Sequence, residues 1–508
     1  MMHPSEPPHP APSLFPTKRA WIALAVMAIL LFSVGLGNHG LLEPDEGRYA
    51  NMAVEWLEFD THDWLEPVLS DVGHFDKPPL IYWLTGGNIL LFGQSEWAAR
   101  MPSVLGGLLT LIGVGLMAGQ VGGKKAAWWA VLVTLTSYQF WALSHLLSPD
   151  MLLCGFVTLG TALIFRSRTK GGWFLWFCGA LLWVLAWWTK ATASLVPLGA
   201  LTLALLITGK KDLLHQLKPV RLLCFILLLG LPWYLAMILR HPELKDFFLH
   251  RELAGRITGH PDKRLGFLGY HFAVAAGFWL PWWPVLLQRC WPAKSQCDRV
   301  PWREKLRSLP WEPVAALGVI LIFSFVSSKL VTYILPGLPF LTVRIGILMA
   351  AAEPGFSLRR WPAYLAGATA ILLCAAGFSV PRFENSLGWN SSVRQTVTVA
   401  KENGARRIIC DQFWPGVEFY FGDSVWYVDA KNPVQAEGVK GQQPSLHFVS
   451  GGEIRQRTEA SPGPVWLLQF TGRSYQPRAW ERELIEKARS RKSVQSVSVG
   501  EFTLWRIK

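Results

Sequence analysis

Two short stretches of this chain place acids and bases where a hydrophobic polypeptide ordinarily has none. In residues 41–56, LLEPDEGRYANMAVEW, the charges Glu43, Asp45, Glu46 and Arg48 crowd together directly after the apolar run 20–37. In residues 74–84, HFDKPPLIYWL, His74, Asp76 and Lys77 open another hydrophobic segment. A carboxylate such as Asp45 can orient an acceptor or take its proton. A lysine at the mouth of a hydrophobic helix suits a phosphate, because preorganised cations stabilise the charge that a departing phosphate develops. Residues 247–260, FFLHRELAGRITGH, add His250, Arg251, Glu252, Arg256 and His260 within about three helical turns. Residues 327–339, SSKLVTYILPGLP, carry Lys329 and Tyr333 at the end of an apolar run, and Lys190 follows WWT in a similar setting.

Each cluster also has a plain structural reading. Asp45 stands where an N-cap carboxylate would stand, with Arg48 as its solvated partner. Lys77, Lys190 and Lys329 are candidates for interfacial lysines that snorkel or anchor a helix. The stretch 247–260 reads equally as a polar surface helix. Carboxylates and imidazoles are ligand types for a divalent metal, which makes Asp76, His250 and Glu252 the candidate ligands. The i, i+2 spacing of His250 and Glu252 does not put both on one helical face.

The elements that must position these residues are mostly hydrophobic helices. Of the 508 residues 51% are apolar and 27 are Trp, whereas only 17% are charged, below the roughly 25% of soluble domains. Apolar runs near 20–37, 98–120, 126–145, 149–165, 172–189, 191–208, 219–239, 267–288, 312–327, 330–350 and 361–380 approach the length that crosses a bilayer. About eleven crossings result, which makes the chain a polytopic membrane protein. The net charge of +14 falls in short segments between these runs, such as Lys124/Lys125, Arg166/Arg168 and Lys210/Lys211. That is the positive-inside pattern and argues against nucleic acid as a partner. It puts residues 1–19, rich in Pro and His, in the cytoplasm as a disordered segment and the loops 38–97 and 240–266 on the outer side. From Tyr49 the apolar residues Tyr49, Met52, Ala53, Trp56 and Leu57 follow helical spacing, with Asn51, Glu55 and Glu58 opposite. This predicts an amphipathic helix lying on the membrane surface. Residues 381–508 are less apolar and hold strand-like stretches at 406–410, 424–428 and 464–470 and a helix-like stretch from Ala479. They predict a small α/β domain outside the membrane, on the non-cytoplasmic side. The seven cysteines show neither zinc spacing nor a disulfide framework.

The motifs PDEGRYANMA, HFDKPPLIYWL, FGQSEWAARMPSVLGG, LLSPDMLL and SSKLVTYILPGLP, in this order across most of residues 40–340, resemble the bacterial membrane glycosyltransferases of the GT-C fold. The resemblance is to the lipid A aminoarabinose transferase and the wider protein mannosyltransferase-related family. It implies an all-α polytopic membrane domain at 20–380 with a small C-terminal α/β extracytoplasmic domain. It also implies transfer of a sugar, with inversion, from a polyprenyl-phosphate lipid to a lipid A-like or protein acceptor at the periplasmic face of the inner membrane. By the same resemblance Asp45 is the acidic residue of the first loop, and Asp76 and Lys77 are the acid and the lysine at the carrier phosphate. Arg48, Tyr333 and Arg256 become phosphate-side contacts. Glu46, Tyr49, His74, Tyr82 and Lys329, within the matching motifs, are expected to line the substrate site. The chain departs from the family where relatives often have Glu at the position of Asp76 and Tyr at that of His74. It also has Glu252 where the aminoarabinose transferase has a metal-associated His. Two other classes compete: a polyprenyl-phosphate transporter, which calls for broken helices or inverted repeats that the sequence does not display, and a scaffold whose outer domain is the working part.

Overall fold

The computed structural model describes residues 17–58, 63–168, 172–254, 266–278, 282, 302–326, 329–351, 361–383, 392–429, 447–471, 475–490 and 495–508. Thr17 opens the first helix, Lys18–Ser33, by accepting a hydrogen bond from the Ala20 N–H at 3.2 Å. Leu24, Ala28, Leu31 and Phe32 form its buried stripe, whereas Ile22 and Ile29 are exposed. An apolar face left outward is how a helix meets lipid. The helix therefore starts inside the segment expected as a disordered tail and ends short of Gly37.

Four helical runs among the described residues are long and apolar enough to cross a membrane: Glu96–Leu135, Pro149–Arg166, Gly172–Ile207 and Lys211–Arg240. Four shorter apolar helices accompany them: Leu80–Phe92, Trp311–Phe325, Leu335–Ala351 and Tyr364–Gly377. Among the described residues these helices do not confirm a count of about eleven spans, and part of the expected span 267–288 lies outside the described residues. Two junctions explain much of the difference. The runs expected at 98–120 and 126–145 join through a kink at Gly123, whose φ of 71° suits a residue without Cβ, and the second ends at Leu135. The runs expected at 172–189 and 191–208 follow one another through a single 3-10 turn, Ala191–Ser194.

Helices Glu96–Leu135 and Pro149–Arg166 touch backbone to backbone. A Cβ on Gly106 would lie 2.3 Å from the Met151 carbonyl oxygen, and one on Gly155 would lie 2.4 Å from that of Gly106. Small residues at such crossings let membrane helices gain packing contacts that lipid cannot supply.

The loop between the first two helical runs is itself folded. It contains the helix Asp45–Glu55, an antiparallel hairpin of β1 (Val68–Leu69) and β2 (Val72–Gly73), and the start of the helix Leu80–Phe92. Ser70 and Asp71 turn the hairpin at positive φ (54° and 62°), the conformation that two-residue hairpin loops require. Asp45–Glu55 is not a surface helix. Tyr49, Met52 and Ala53 are buried on one face, and Asn51 and Glu55 are buried on the other.

The C-terminal region forms a mixed sheet of β3 (Arg407–Cys410), β4 (Val425–Val428), β5 (Phe448–Val449), β6 (Val465–Phe470), β7 (Ser496–Val499) and β8 (Phe502–Arg506), in the order β5-β4-β3-β6-β8-β7. The pairs among β3 to β6 are parallel, and β8 and β7 close one edge antiparallel. Ile408, Cys410, Tyr427 and Trp466 pack with Val393 and Val397 of the helix Ser392–Glu402. Ile409, Val428 and Leu467 pack with Leu484 and Ile485 of the helix Ala479–Arg489. Burial on both faces explains why these strands read as unbroken apolar runs rather than alternating ones.

Candidate active site

The helix Asp45–Glu55 begins at Asp45 itself, with Pro44 before it, so Asp45 is a first-turn residue and not the cap expected from sequence. Its carboxylate is half-exposed and pairs with Arg48 one turn on. The Arg48 guanidinium lies 5.7 Å from the Tyr49 ring. The second motif arrives at the same place. Lys77 Nζ donates to Asp76 Oδ2 at 2.5 Å, and His74 Nε2 lies 3.1 Å from Asp76 Oδ1. Lys77 Nζ sits 5.3 Å from the centre of the Tyr49 ring, which stacks on Tyr82 with centroids 6.1 Å apart. Asp45, Arg48, Tyr49, His74, Asp76, Lys77 and Tyr82 thus form one connected cluster.

The charges in it sustain one another. Burial alone would lower Lys77, but Asp76 and Tyr49 hold it above the ordinary lysine range. Burial would lower Arg48 too, and Tyr49, Asp76 and Asp45 overcome it. Asp76 is the converse: burial would raise it, and Lys77, His74 and Arg48 take it well below the usual carboxylate range. His74 is lowered because its burial outweighs Asp76, which keeps the imidazole neutral at neutral pH. The result is two cations held at the start of a hydrophobic helix, with Asp76 as their fixed counter-ion.

A cavity of about 480 Å³ opens from Asp76 and Lys77. Leu231, Tyr234, Leu235 and Ile238 of the helix Pro219–Arg240 give it an apolar wall, and Lys190 and Lys245 add two more cations. Lys190 Nζ is 2.6 Å from Asp150 Oδ1 and 5.0 Å from the centre of the Tyr333 ring. Tyr333 therefore reaches the cavity rim through Lys190. Taken alone in the sequence, Lys190 reads as an interface anchor, and together with Lys329 and Tyr333 as a cation facing an outer cavity; Asp150 has no role in that reading. The signal was present in the motif LLSPDMLL, where an acid directly follows a helix-opening proline.

Other expected residues lie elsewhere. Glu46, expected to line substrate, is bound edge-on by Arg100, whose Nε and Nη2 each donate at 2.8 Å, and it also accepts from the Leu42 and Leu147 N–H groups. Lys329 donates to the carbonyls of Ser324 and Val326, each at 2.5 Å. It closes the helix Trp311–Phe325, which is where a cation complements the helix dipole. His250 is exposed, 3.7 Å from Asp246. The side chain of Glu252, and Arg256 and His260, lie outside the described residues. Among the described residues no three His, Cys, Asp or Glu side chains are placed to hold a metal ion. Asp76 and His74 supply two donors, and Asp76 already accepts from Lys77.

Residues 76–235 match the family model of dolichyl-phosphate-mannose-protein mannosyltransferases. The chain is 26% identical over 360 residues to the undecaprenyl phosphate-alpha-4-amino-4-deoxy-L-arabinose arabinosyl transferase 2 of Pseudomonas fluorescens, covering 63% of this chain and 58% of that protein. It is 27% identical over 330 residues to the corresponding transferase of Edwardsiella ictaluri, covering 62% and 57%. It is also 27% identical over 337 residues to an uncharacterized protein of Aquifex aeolicus, covering 64% and 63%. In each case it spans less than two thirds of the relative's own length. The fold matches ArnT from Cupriavidus metallidurans bound to undecaprenyl phosphate with a TM-score of 0.76 at 17% identity, over 97% of this chain and 99% of that one. The apo form of the same protein matches with a TM-score of 0.73. The chain therefore has the GT-C-type membrane glycosyltransferase fold of ArnT, and its sequence is similar to the aminoarabinosyl transferases and the mannosyltransferase-related family.

Proposed function

We propose that this chain is an inverting glycosyltransferase that moves a sugar from a polyprenyl-phosphate donor to a lipid A-like acceptor at the periplasmic face of a bacterial inner membrane. The observation that carries this reading is the junction of Lys77, which shares the Tyr49 ring with Arg48, with an apolar cavity walled by a hydrophobic helix. A phosphate with a long lipid tail needs both features at once, a fixed positive field and a greasy channel beside it. A soluble nucleotide-sugar needs no such channel. The similarity to arabinosyl transferases and the fold of an undecaprenyl-phosphate-bound neighbour support the same donor class.

The reaction follows from the groups present. The acceptor oxygen attacks the anomeric carbon from the face opposite the phosphate, and the bond from that carbon to the phosphate oxygen breaks. The bonding pair leaves on the phosphate, whose growing charge meets Lys77 and Arg48. Asp45 is half-exposed beside Arg48 and can orient the acceptor. A hydroxyl acceptor loses its proton to Asp45, whereas an ionised phosphate acceptor brings none to lose. Tyr49, itself stacked on Tyr82, presents its ring to both cations and helps to hold them in place. Among the described residues Asp76 and His74 supply two donors, fewer than a complete metal set.

The test is transfer by the purified protein in lipid nanodiscs, using a polyprenyl-phosphate-linked sugar, paired with mass spectrometry of envelope lipids and proteins from cells with and without the gene. Asp45→Asn abolishes turnover while the protein stays folded. Lys77→Ala weakens polyprenyl-phosphate binding by about 1.5–3 kcal/mol, roughly a tenfold to hundredfold rise in Kd. Equal donor affinity in the two proteins would remove Lys77 from the site. A sugar-sized mass lost from proteins and not from lipids would move the acceptor to protein, the reading that the mannosyltransferase match at residues 76–235 favours.

A further inference from the structure

The helix that carries Asp45, Arg48 and Tyr49 is gripped on another of its faces by the C-terminal region. Asn51 Nδ2 donates to Glu55 Oε1 at 2.7 Å and to Glu418 Oε2 at 2.6 Å. Ser70, at the tip of the β1–β2 hairpin, repeats the pattern: its N–H donates to Glu55 Oε1 at 2.6 Å and its hydroxyl to Glu418 Oε1 at 2.7 Å. All four residues are buried. Glu418 comes from the short helix Pro415–Phe421, hundreds of positions away in sequence. Two buried carboxyls thus share one amide and one serine, and among the described residues no lysine or arginine forms an ion pair with either. Nothing in the proposed chemistry uses them.

We propose that Glu418 is a positioning residue for sugar transfer: by sharing Asn51 and Ser70 with Glu55 it locks the helix Asp45–Glu55 to the hairpin and to the C-terminal sheet, and so sets the direction of Asp45 and Arg48. The lock itself rests on the contacts above; only its catalytic consequence rests on the transferase reading. A second strut lies alongside, where Glu43 Oε1 accepts from the Gly416 N–H at 2.7 Å, one residue past the start of the same short helix. The C-terminal region is then part of the site's frame and not an appendage to it.

The chemistry of the lock makes it proton-dependent. Neutral donors cannot hold two adjacent buried carboxylates if both are ionised. Burial and their mutual repulsion push Glu55 up, and burial pushes Glu418 up against the opposing pull of His447, Ser70 and Asn51. The other groups facing the pair are Asp71 from the hairpin, with Tyr427, Cys410 and Glu43 around Glu418. His447 sits between them, 3.7 Å from Glu418 Oε1 and 3.6 Å from Asp71 Oδ2. Rising pH removes the remaining proton, like charge builds across the lock, and the helix loosens.

The experiment compares wild type, Glu418→Gln and Glu418→Ala as full chains in nanodiscs, by hydrogen–deuterium exchange and by steady-state transfer across pH. Glu418→Ala is expected to speed exchange in 45–55 and 68–73 while leaving Pro149–Arg166 as in wild type, and to lower kcat about tenfold with donor KM within about twofold. Glu418→Gln, which keeps the shape and loses the charge, restores protection and most of kcat and moves the alkaline fall in kcat to higher pH. Wild-type exchange and kcat in Glu418→Ala, or an alkaline limb unchanged in Glu418→Gln, would overturn the proposal. Should wild type transfer no sugar while Glu418→Ala still loosens 45–55, the reaction assignment fails and the lock is upheld.

Discussion

Glu46 and Arg100 show what charge is for in the interior of this chain. Arg100 is wholly buried, and besides Glu46 it donates to the carbonyls of Leu36 and Gly40. Burial alone would push Glu46 up, and Arg100 brings it below the ordinary carboxylate range. The pair sits one residue from Asp45 yet serves the scaffold, tying the first loop to the helix Glu96–Leu135. Removing one partner strands a buried charge, whereas removing both leaves apolar surface. Arg100→Met should cost about 3–5 kcal/mol, seen as a large drop in the thermal midpoint in detergent. The double change Arg100→Met with Glu46→Leu should recover part of that loss. A double variant no more stable than the single one would show that the pair does more than neutralise itself. Lys77 is held differently, because beyond Asp76 it meets the Tyr49 ring and a cavity and not a closed ring of backbone carbonyls.

Among the elements, the helix Asp45–Glu55 is decided by what covers its two sides. One side packs into the main hydrophobic core of the protein through Met52 and Ala53, and the other meets Glu418 and Ser70. Its tilt is therefore set by two partners at once. Helix contacts below it are equally close. Any side chain at Gly106 meets the Met151 carbonyl, which belongs to a helix backbone and cannot swing away. Gly106→Val should lower stability by at least about 1–3 kcal/mol, the usual cost of overpacking. The control is Gly87→Ala in the helix Leu80–Phe92, where an added Cβ finds nothing within 4 Å. That change should be neutral or slightly stabilising, since Ala outranks Gly in a helix. Equal melting of the two variants would mean that the Gly106 crossing is not close-packed in the membrane.

Across the whole molecule, the membrane helices and the C-terminal sheet are joined by polar contacts in a protected seam. Tyr420 accepts from the Leu41 N–H at 2.8 Å and donates to Glu96 at 3.1 Å, and Arg394 holds Glu96 from the other side at 3.0 Å. Glu43 belongs to this seam. Burial lifts its carboxyl from 4.5 to about 8, with the Gly416 N–H pulling the other way. The sign follows directly. The folded chain keeps the Glu43 proton at a pH where the unfolded chain has released it, so stability falls as pH rises from the ordinary glutamate value toward 8. His74 works in the opposite sense, but its contribution is complete above the ordinary histidine range. Between about pH 7 and 8 the melting temperature should therefore decline, and Glu43→Gln should flatten the slope. A slope identical in wild type and Glu43→Gln would show that the seam does not bury this carboxyl. Glu55 and Glu418 act in the same direction, so some slope remains in the single variant.

Composition and periodicity alone determined that hydrophobic helices dominate, that acids and bases gather at helix mouths in the first loop, and that an α/β region follows. These are local properties: a run of apolar residues is a helix in lipid whatever surrounds it, and a parallel-sheet strand is apolar throughout because both its faces are covered. The tertiary structure decided which charges meet. Glu46 and Asp45 are adjacent in sequence, yet one faces Arg100 and the other Arg48, and only packing could separate them. Lys190 and Lys329 look alike as interfacial lysines, but a cavity opens beside the first and a helix end closes over the second. How neighbouring apolar runs join was not legible from hydropathy: Lys124/Lys125 and Lys190 mark the breaks, but the kink at Gly123 and the single 3-10 turn at Ala191–Ser194 that link the runs arise only in the fold. Glu418 had no signal at all, since its meaning arises from a contact 367 positions away with Asn51. Distance along the chain hides such pairs, and the free energy of burying them together exists only once both sides have folded.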